Sequence, residues 1–265
     1  MQIHPTAVVH KDAELAADVV IGPYAVIDEK VRLGAGVKIG PHSVVYRYSS
    51  LAQGCVVHAH AVIGDLPQDL AYKDVVSYVR IGAGTTIREG VTIHRGTKPE
   101  TVTEVGSNCY LMANSHLAHN VMMGNNVVVA NGALLAGYVE VGDRAFISGN
   151  CVIHQFVRIG RLAMLGGNCG ISQDVLPFCT AASVHLNVIA GLNVVGMRRA
   201  GISAADRLII KRIFSTLFRS GLNIFQAVEK MKREDQSPFV REICEFIESS
   251  KRGICGLKAV EENGD

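Results

Sequence analysis

The sequence predicts a parallel β-helix of hexapeptide repeats followed by a C-terminal α-helical region. Two six-residue lattices and one change of period predict it. From Ile3 to Ile171, every sixth residue is Ile, Leu, Val or Met at 27 of 29 positions, the exceptions being Asp69 and Pro99. These four residue types make up 80 of the 265 residues, so chance would fill only roughly a third of the positions. A second lattice lies four residues after the first, from Ala7 to Val175, and holds Ala, Val, Ser, Thr or Cys except at Pro67 and Lys73. After Ser203 the apolar residues recur with helical spacing instead.

A six-residue period matches neither the 3.6 of an α-helix nor the alternation of a long hairpin strand. It describes coils of short flat strands joined by turns. The large aliphatic residue points inward and stacks on its equivalent one coil away, at roughly the 4.8 Å strand spacing. The small residue sits where the corner is tight. One coil cannot bury its own apolar face, so stability comes from stacking neighbours. With three hexapeptides per coil, the run allows about nine to ten coils.

Two interruptions are expected as loops thrown out from the prism. The first, near 64–80 (GDLPQDLAYKDVVSYVR), breaks both lattices but keeps phase by length. The second, near 95–104, breaks at Pro99. Loops on a rigid scaffold are where binding groups concentrate. The lattice ends at Asp174-Val-Leu-Pro177, and an irregular segment is expected to about Ala200. One helix then starts at Ser203, with Asp206 three residues on, and ends at Gly221. Asn223 can cap a second helix, and a third runs from about Pro238 to near Gly253. The expected division is 1–190 for the coil and 191–265 for the helices, which are too few to fold alone and should pack on the prism or on a neighbouring subunit.

Composition narrows the function classes. Net charge is +2, which does not suit a nucleic-acid polyelectrolyte partner. The charges are unevenly placed: residues 197–233 hold nine Lys/Arg against two Asp/Glu, a zone that could attract an acidic partner or simply be a solvated helix face. Met1–Gly22 carries His4, His10, Lys11, Asp12 and Glu14, unlike a signal peptide. Val105–Val139 has no Asp, Glu, Lys or Arg, yet it keeps the register and is interspersed with Asn, so it reads as coil wall buried against another subunit rather than a membrane span. Four of the seven cysteines, Cys55, Cys109, Cys151 and Cys169, fall on the small-residue lattice, and no CxxC occurs. Reduced structural thiols in a cytoplasmic protein are expected.

Candidate chemistry rests on histidine. His116 and His119 lie together in NSHLAHN, at the centre of the uncharged wall. His154, in IHQF, follows Ala118 by 36 residues and should fall near the same corner two coils later. An imidazole titrating near neutrality is a natural general base for a hydroxyl. No GxSxG, phosphate loop or dinucleotide fingerprint is present, which favours direct transfer onto an acceptor activated by a base.

At these motifs the chain resembles the UDP-N-acetylglucosamine acyltransferase family of lipid A biosynthesis. The matching segments are IGDLPQDLAY, IREGVTIHRGT, LMANSHLAHN, LLAGYV, VIHQF, LGG and GMRRAG, spread over nearly the whole chain. The resemblance implies a left-handed parallel β-helix, against the usual right-handed crossover rule, assembled as a homotrimer. It implies His119 as the base for the sugar 3-hydroxyl and the Gly137 backbone N–H as oxyanion donor. Gln68, Asp69, His116, His154, Gln155, Asn193, Arg198 and Arg199 would bind the substrates. Met164 and Gly167 would line the acyl chain. The donor would be a 3-hydroxyacyl thioester of acyl carrier protein, an acidic partner, and the acceptor UDP-N-acetylglucosamine. No cofactor or metal is implied.

Four positions depart from the family's pattern. Ala71 stands where a Lys usually follows QDL. Asn120 replaces an Asp after the base, Tyr138 a His in the AGH segment, and Val195 a Glu before the arginines. None removes the base or the oxyanion donor. Three other readings remain open on residues alone: a non-catalytic nucleotide-sugar or carrier-protein binder, a γ-type carbonic anhydrase with zinc on three histidines, and an acetyl-CoA-dependent acetyltransferase.

Overall fold

The computed structural model describes residues 1–257, so the last part of the expected 191–265 region, residues 258–265, lies outside the described residues. The hexapeptides form three parallel sheets. The first begins at Gln2–Ile3 and Val20–Ile21, the second at Val8–Val9 and Val26–Ile27, the third at Glu14–Leu15 and Arg32–Leu33. The chain visits them in rotation, so each strand pairs with one a full coil later. Ile21, Ile39, Val57, Ile87, Leu111 and their equivalents are buried in a single aliphatic core. Each fully buried Ile, Leu or Val contributes about 1.5–3 kcal/mol.

The corners explain a further choice in the hexapeptide, the residue three after each inward aliphatic. From Tyr24 onward most tight turns hold one residue in the left-handed region, among them Gly36, Gly54, Gly84, Asn108, Asn114, Asn120 and Asn126. Glycine and asparagine accept that conformation at least cost. Tyr138 and Phe156 adopt it as well, with φ of 59° and 64°.

Register shows why the six-residue count survives both interruptions. Tyr110 pairs with Val128, 18 residues on. Ser49 pairs with Val79, 30 residues on, and Val79 with Thr103, 24 residues on. The first loop therefore inserts two hexapeptide lengths and the second one. Val75 fits the lattice by count alone: it lies in the insertion and is only half-buried, not in the core.

The segment expected to be irregular up to Ala200 is ordered. Cys179–Ala181 extends the first sheet in parallel beside Met164–Leu165, and Val188–Leu192 returns antiparallel to it. Helix α1, Val194–Arg199, follows, with Asn193 as its cap. An antiparallel return has no hexapeptide period, so periodicity could not reveal it.

Helices α2 (Ala204–Arg219), α3 (Ile224–Glu234) and α4 (Pro238–Glu248) complete the tail. Ser203, Asn223 and Ser237 cap them, each side chain accepting from a backbone N–H three residues on. Helix α4 ties the bundle to the prism. Arg161 makes a forked pair with Glu242 (3.0 and 2.7 Å), and the Arg158 guanidinium lies 4.1 Å from the Phe246 ring centroid. No described helix is long and apolar enough to cross a membrane.

Candidate active site

The strand His116–Leu117 belongs to the second sheet, pairing with Thr92–Ile93 before it and Leu134–Leu135 after it. The chain then turns a corner through His119 and Asn120. The same corner one coil on is Gly137 and Tyr138, and two coils on Gln155 and Phe156, linked by Tyr138 N–H to His119 O and Phe156 N–H to Gly137 O, each 3.0 Å. Stacking thus brings His119 and Gly137 together.

Their contact is close. A Cβ built on Gly137 would lie 2.3 Å from His119 Cε1 and 2.6 Å from Nε2. Only a glycine lets the imidazole rest on that backbone. Among the described residues, no carbonyl or side chain accepts from the Gly137 N–H.

Asn120, buried at the corner, anchors the ring. Its Oδ1 lies 3.1 Å from His119 Nδ1 and accepts from both the backbone N–H and the hydroxyl of Thr97, each at 3.0 Å. The Thr97 N–H can only donate, so the atom facing it is the amide oxygen. That oxygen cannot donate to His119, so Nδ1 carries a proton, and in the neutral imidazole Nε2 is the nitrogen with the lone pair.

Two further histidines adjoin. His116 Nδ1 lies 2.7 Å from Thr92 Oγ1, and its ring meets His94 edge-on at 4.9 Å. Burial, and to a lesser degree the neighbouring His94 and His119 imidazoles, pushes the His116 pKa down to about 4. Burial also lowers that of His94. His116 is therefore neutral at neutral pH and can hydrogen-bond a substrate without adding charge. His94 was not singled out from the sequence. It occupies the equivalent of Ala118 only once the 24-residue step across the second loop is counted, although it sits in the IHRGT segment.

The other sequence candidates are dispersed around this centre. His154 lies at the expected corner, exposed, its Nδ1–H donating to Gln155 O at 3.1 Å. Gln68 and Asp69 sit exposed on the first loop, which is pinned at Asp74 by Arg47 (3.1 Å) and by the buried Arg95 (3.3 Å). Arg198 and Arg199 form the last turn of α1. Asn193 is buried, capping that helix through Gly196 N–H and donating to Leu162 O at 2.9 Å, so its amide works in positioning α1. No hydrogen bond joins Gln68, Asp69, Arg198 or Arg199 to His119 within the described residues. Met164 pairs with Phe146 on the first sheet, and Gly167 lies just past that strand. A Cβ on Gly167 would meet only Gly149 O, at 3.7 Å, so a side chain fits there.

A prism of stacked hexapeptides with an imidazole seated on a glycine corner defines a hexapeptide-repeat transferase. Residues 12–47 and 103–137 match the bacterial transferase hexapeptide family, and residues 174–255 match the second domain of the Udp N-acetylglucosamine O-acyltransferase family. The chain is 47% identical to an acyl-[acyl-carrier-protein]–UDP-N-acetylglucosamine O-acyltransferase of Sulfurihydrogenibium, covering 96% of this chain and 94% of that one. It is 43% identical to the protein of the same name from Thermodesulfovibrio yellowstonii, covering 96% and 99%. A UDP-N-acetylglucosamine acyltransferase structure from Bacteroides fragilis superposes with a TM-score of 0.91 at 36% identity, covering 96% and 99%. The chain belongs to the UDP-N-acetylglucosamine O-acyltransferase family; it is an acyltransferase on a left-handed parallel β-helix.

Proposed function

We propose that this enzyme transfers a 3-hydroxyacyl chain from acyl carrier protein to the 3-position of UDP-N-acetylglucosamine, with His119 as general base. The observation that carries the reading is the His119 ring lying over the Gly137 backbone, with its Nδ1 bonded to Asn120 Oδ1. In this reading Nε2 takes the proton of the sugar 3-hydroxyl as its oxygen attacks the thioester carbonyl. The Gly137 N–H donates to the oxyanion. The C–S bond then breaks, and the imidazolium returns the proton to the departing thiolate. Gln68, Asp69, His116, His154, Gln155, Arg198 and Arg199 are proposed to hold the nucleotide sugar, with Asn193 setting α1 and its arginines.

The carrier protein is proposed to dock on the helical tail. A groove of about 870 Å³ lies between α2 and α3, floored by Ile209 and Met231 and edged by Lys211, Arg212 and Lys230 and by Glu234 and Asp235. The surrounding zone, with nine Lys/Arg against two Asp/Glu over residues 197–233, suits an acidic partner, and such a carrier is proposed to meet the enzyme in the cytoplasm.

The enzyme is proposed to act as a homotrimer. Leu134 and Val152, in register with His116 on the second sheet, are 42% and 54% exposed, and Met122, Phe146 and Phe156 are exposed too. Exposed apolar side chains along the sheet that carries His116 suit coverage by a neighbouring prism. Sedimentation is expected to give a trimer at micromolar concentration; a stable monomer contradicts it.

Acyl length is testable through Gly167. Gly149 and Gly167 occupy equivalent corners of adjacent coils, with no side chain on either. Gly167→Met would place about four heavy atoms there, and each methylene excluded forfeits about 0.8 kcal/mol of burial. The variant is expected to shift preference to shorter 3-hydroxyacyl donors, with kcat/KM for the longest falling by orders of magnitude. An unchanged ranking across a donor panel removes Gly167 from the groove.

A further inference from the structure

We infer that Thr97 and Tyr138 are positioning residues that act through Asn120 to fix the tautomer and orientation of His119. The inference rests on the reading of His119 as base. Its observation is a continuous chain of hydrogen bonds whose direction is determined at every link. Asn120 Oδ1 accepts the Thr97 N–H, so it is an acceptor throughout. The Thr97 hydroxyl, 3.0 Å away, must then donate to it. That commits the Thr97 proton, so the Tyr138 hydroxyl, 3.0 Å from Thr97 Oγ1, donates to threonine. The chain reads Tyr138 O–H to Thr97 O–H to Asn120 Oδ1, which also receives His119 Nδ1–H.

The residues come from three places that the fold alone brings together. Thr97 is on the second inserted loop, Asn120 on the corner of one coil, and Tyr138 on the corner of the next. Tyr138 is itself held: its ring stacks on Phe156 at 4.9 Å and 13°, and meets His119 edge-on at 5.3 Å. Both corner residues have left-handed backbone, which aims their side chains sideways toward the loop rather than into the core. The second loop thus has a task besides binding: it delivers a hydroxyl and an N–H to the residue that orients the base. It also accounts for two of the departures together. A neutral carboxamide can orient an imidazole as a carboxylate would, provided that something fixes which end of the amide faces the ring. Thr97 does so, and the tyrosine hydroxyl fixes the Thr97 proton.

The test is a double-mutant cycle on acyl transfer. Thr97→Val keeps shape and the backbone N–H but removes the hydroxyl link. It is expected to lower kcat roughly 10-fold, a part of the general-base factor, while KM for UDP-N-acetylglucosamine changes by less than about twofold. Thr97→Ser is expected to restore turnover. In a His119→Ala background, Thr97→Val is expected to have no further effect, because its action passes through the ring. If His119→Ala is impaired but Thr97→Val turns over like the parent, the relay is overturned while the base stands. An equal loss in both backgrounds, or a loss confined to KM, also overturns it. If His119→Ala itself keeps parental turnover, the base reading fails and the relay with it. Should Thr97→Val not fold, Tyr138→Phe reads the outer link in the same cycle, with a smaller expected loss and the same silence without His119.

Discussion

His119→Ala is expected to lower kcat at least about 10²-fold, the lower bound for removing a general base. The protein should still fold and assemble. His119 lies off the inward lattice, so no core residue loses a neighbour, and its loss leaves Asn120 still bonded to Thr97. Steady-state turnover, together with thermal unfolding, checks both halves. Near-normal turnover excludes His119 as the base, and a collapsed melting transition would make its role structural.

Gly137→Ala is expected to lose as much activity for a different reason. The added methyl would sit 2.3 Å from His119 Cε1 and 3.0 Å from Nδ1, so the ring must swing away. A misplacement of about 1 Å at a reacting group can cost 10²-fold. The backbone at Gly137 is outside the left-handed region, and the obstacle is the end of a rotatable side chain, so alanine should not destabilise the fold. Restricting the unfolded chain adds about 0.4–1 kcal/mol of stability where alanine fits. The expected signature is a kcat lowered at least about 10²-fold with an unchanged or raised melting temperature. A variant that keeps both kcat and stability would show that the imidazole does not need that surface.

Much of this was legible in the residues because stacking forces the coil to declare itself every six positions. The aliphatic column from Ile21 to Ile171, the two breaks in the lattice, and the caps at Ser203 and Asn223 all have local or periodic signatures; the breaks expected at 64–80 and 95–104 are narrower, since Val62–Asp65, Tyr78–Ile81 and Val102–Val105 are strands, and Gly137 came from the family resemblance. What escaped was whatever depends on distance without period. Val75 matched the lattice only because the insertions are whole multiples of six. The antiparallel return at Val188–Leu192 has no such repeat. His94 and Thr97 reach the site across a 24-residue step, so no sequence spacing links them to His116 and Asn120. Asn120 and Tyr138 stood out singly as departures, and only the geometry joins them through Thr97.

The central claim is that His119, seated on Gly137, performs acyl transfer to a nucleotide sugar. It is tested most directly by incubating the purified protein with UDP-N-acetylglucosamine and a panel of 3-hydroxyacyl carrier proteins, and identifying the product by mass spectrometry and NMR. The expected result is a single 3-hydroxyacyl group on the 3-oxygen of the sugar, formed by the parent and at least about 10²-fold more slowly by His119→Ala. No transfer from any donor, or transfer at equal rates by the two proteins, would contradict it.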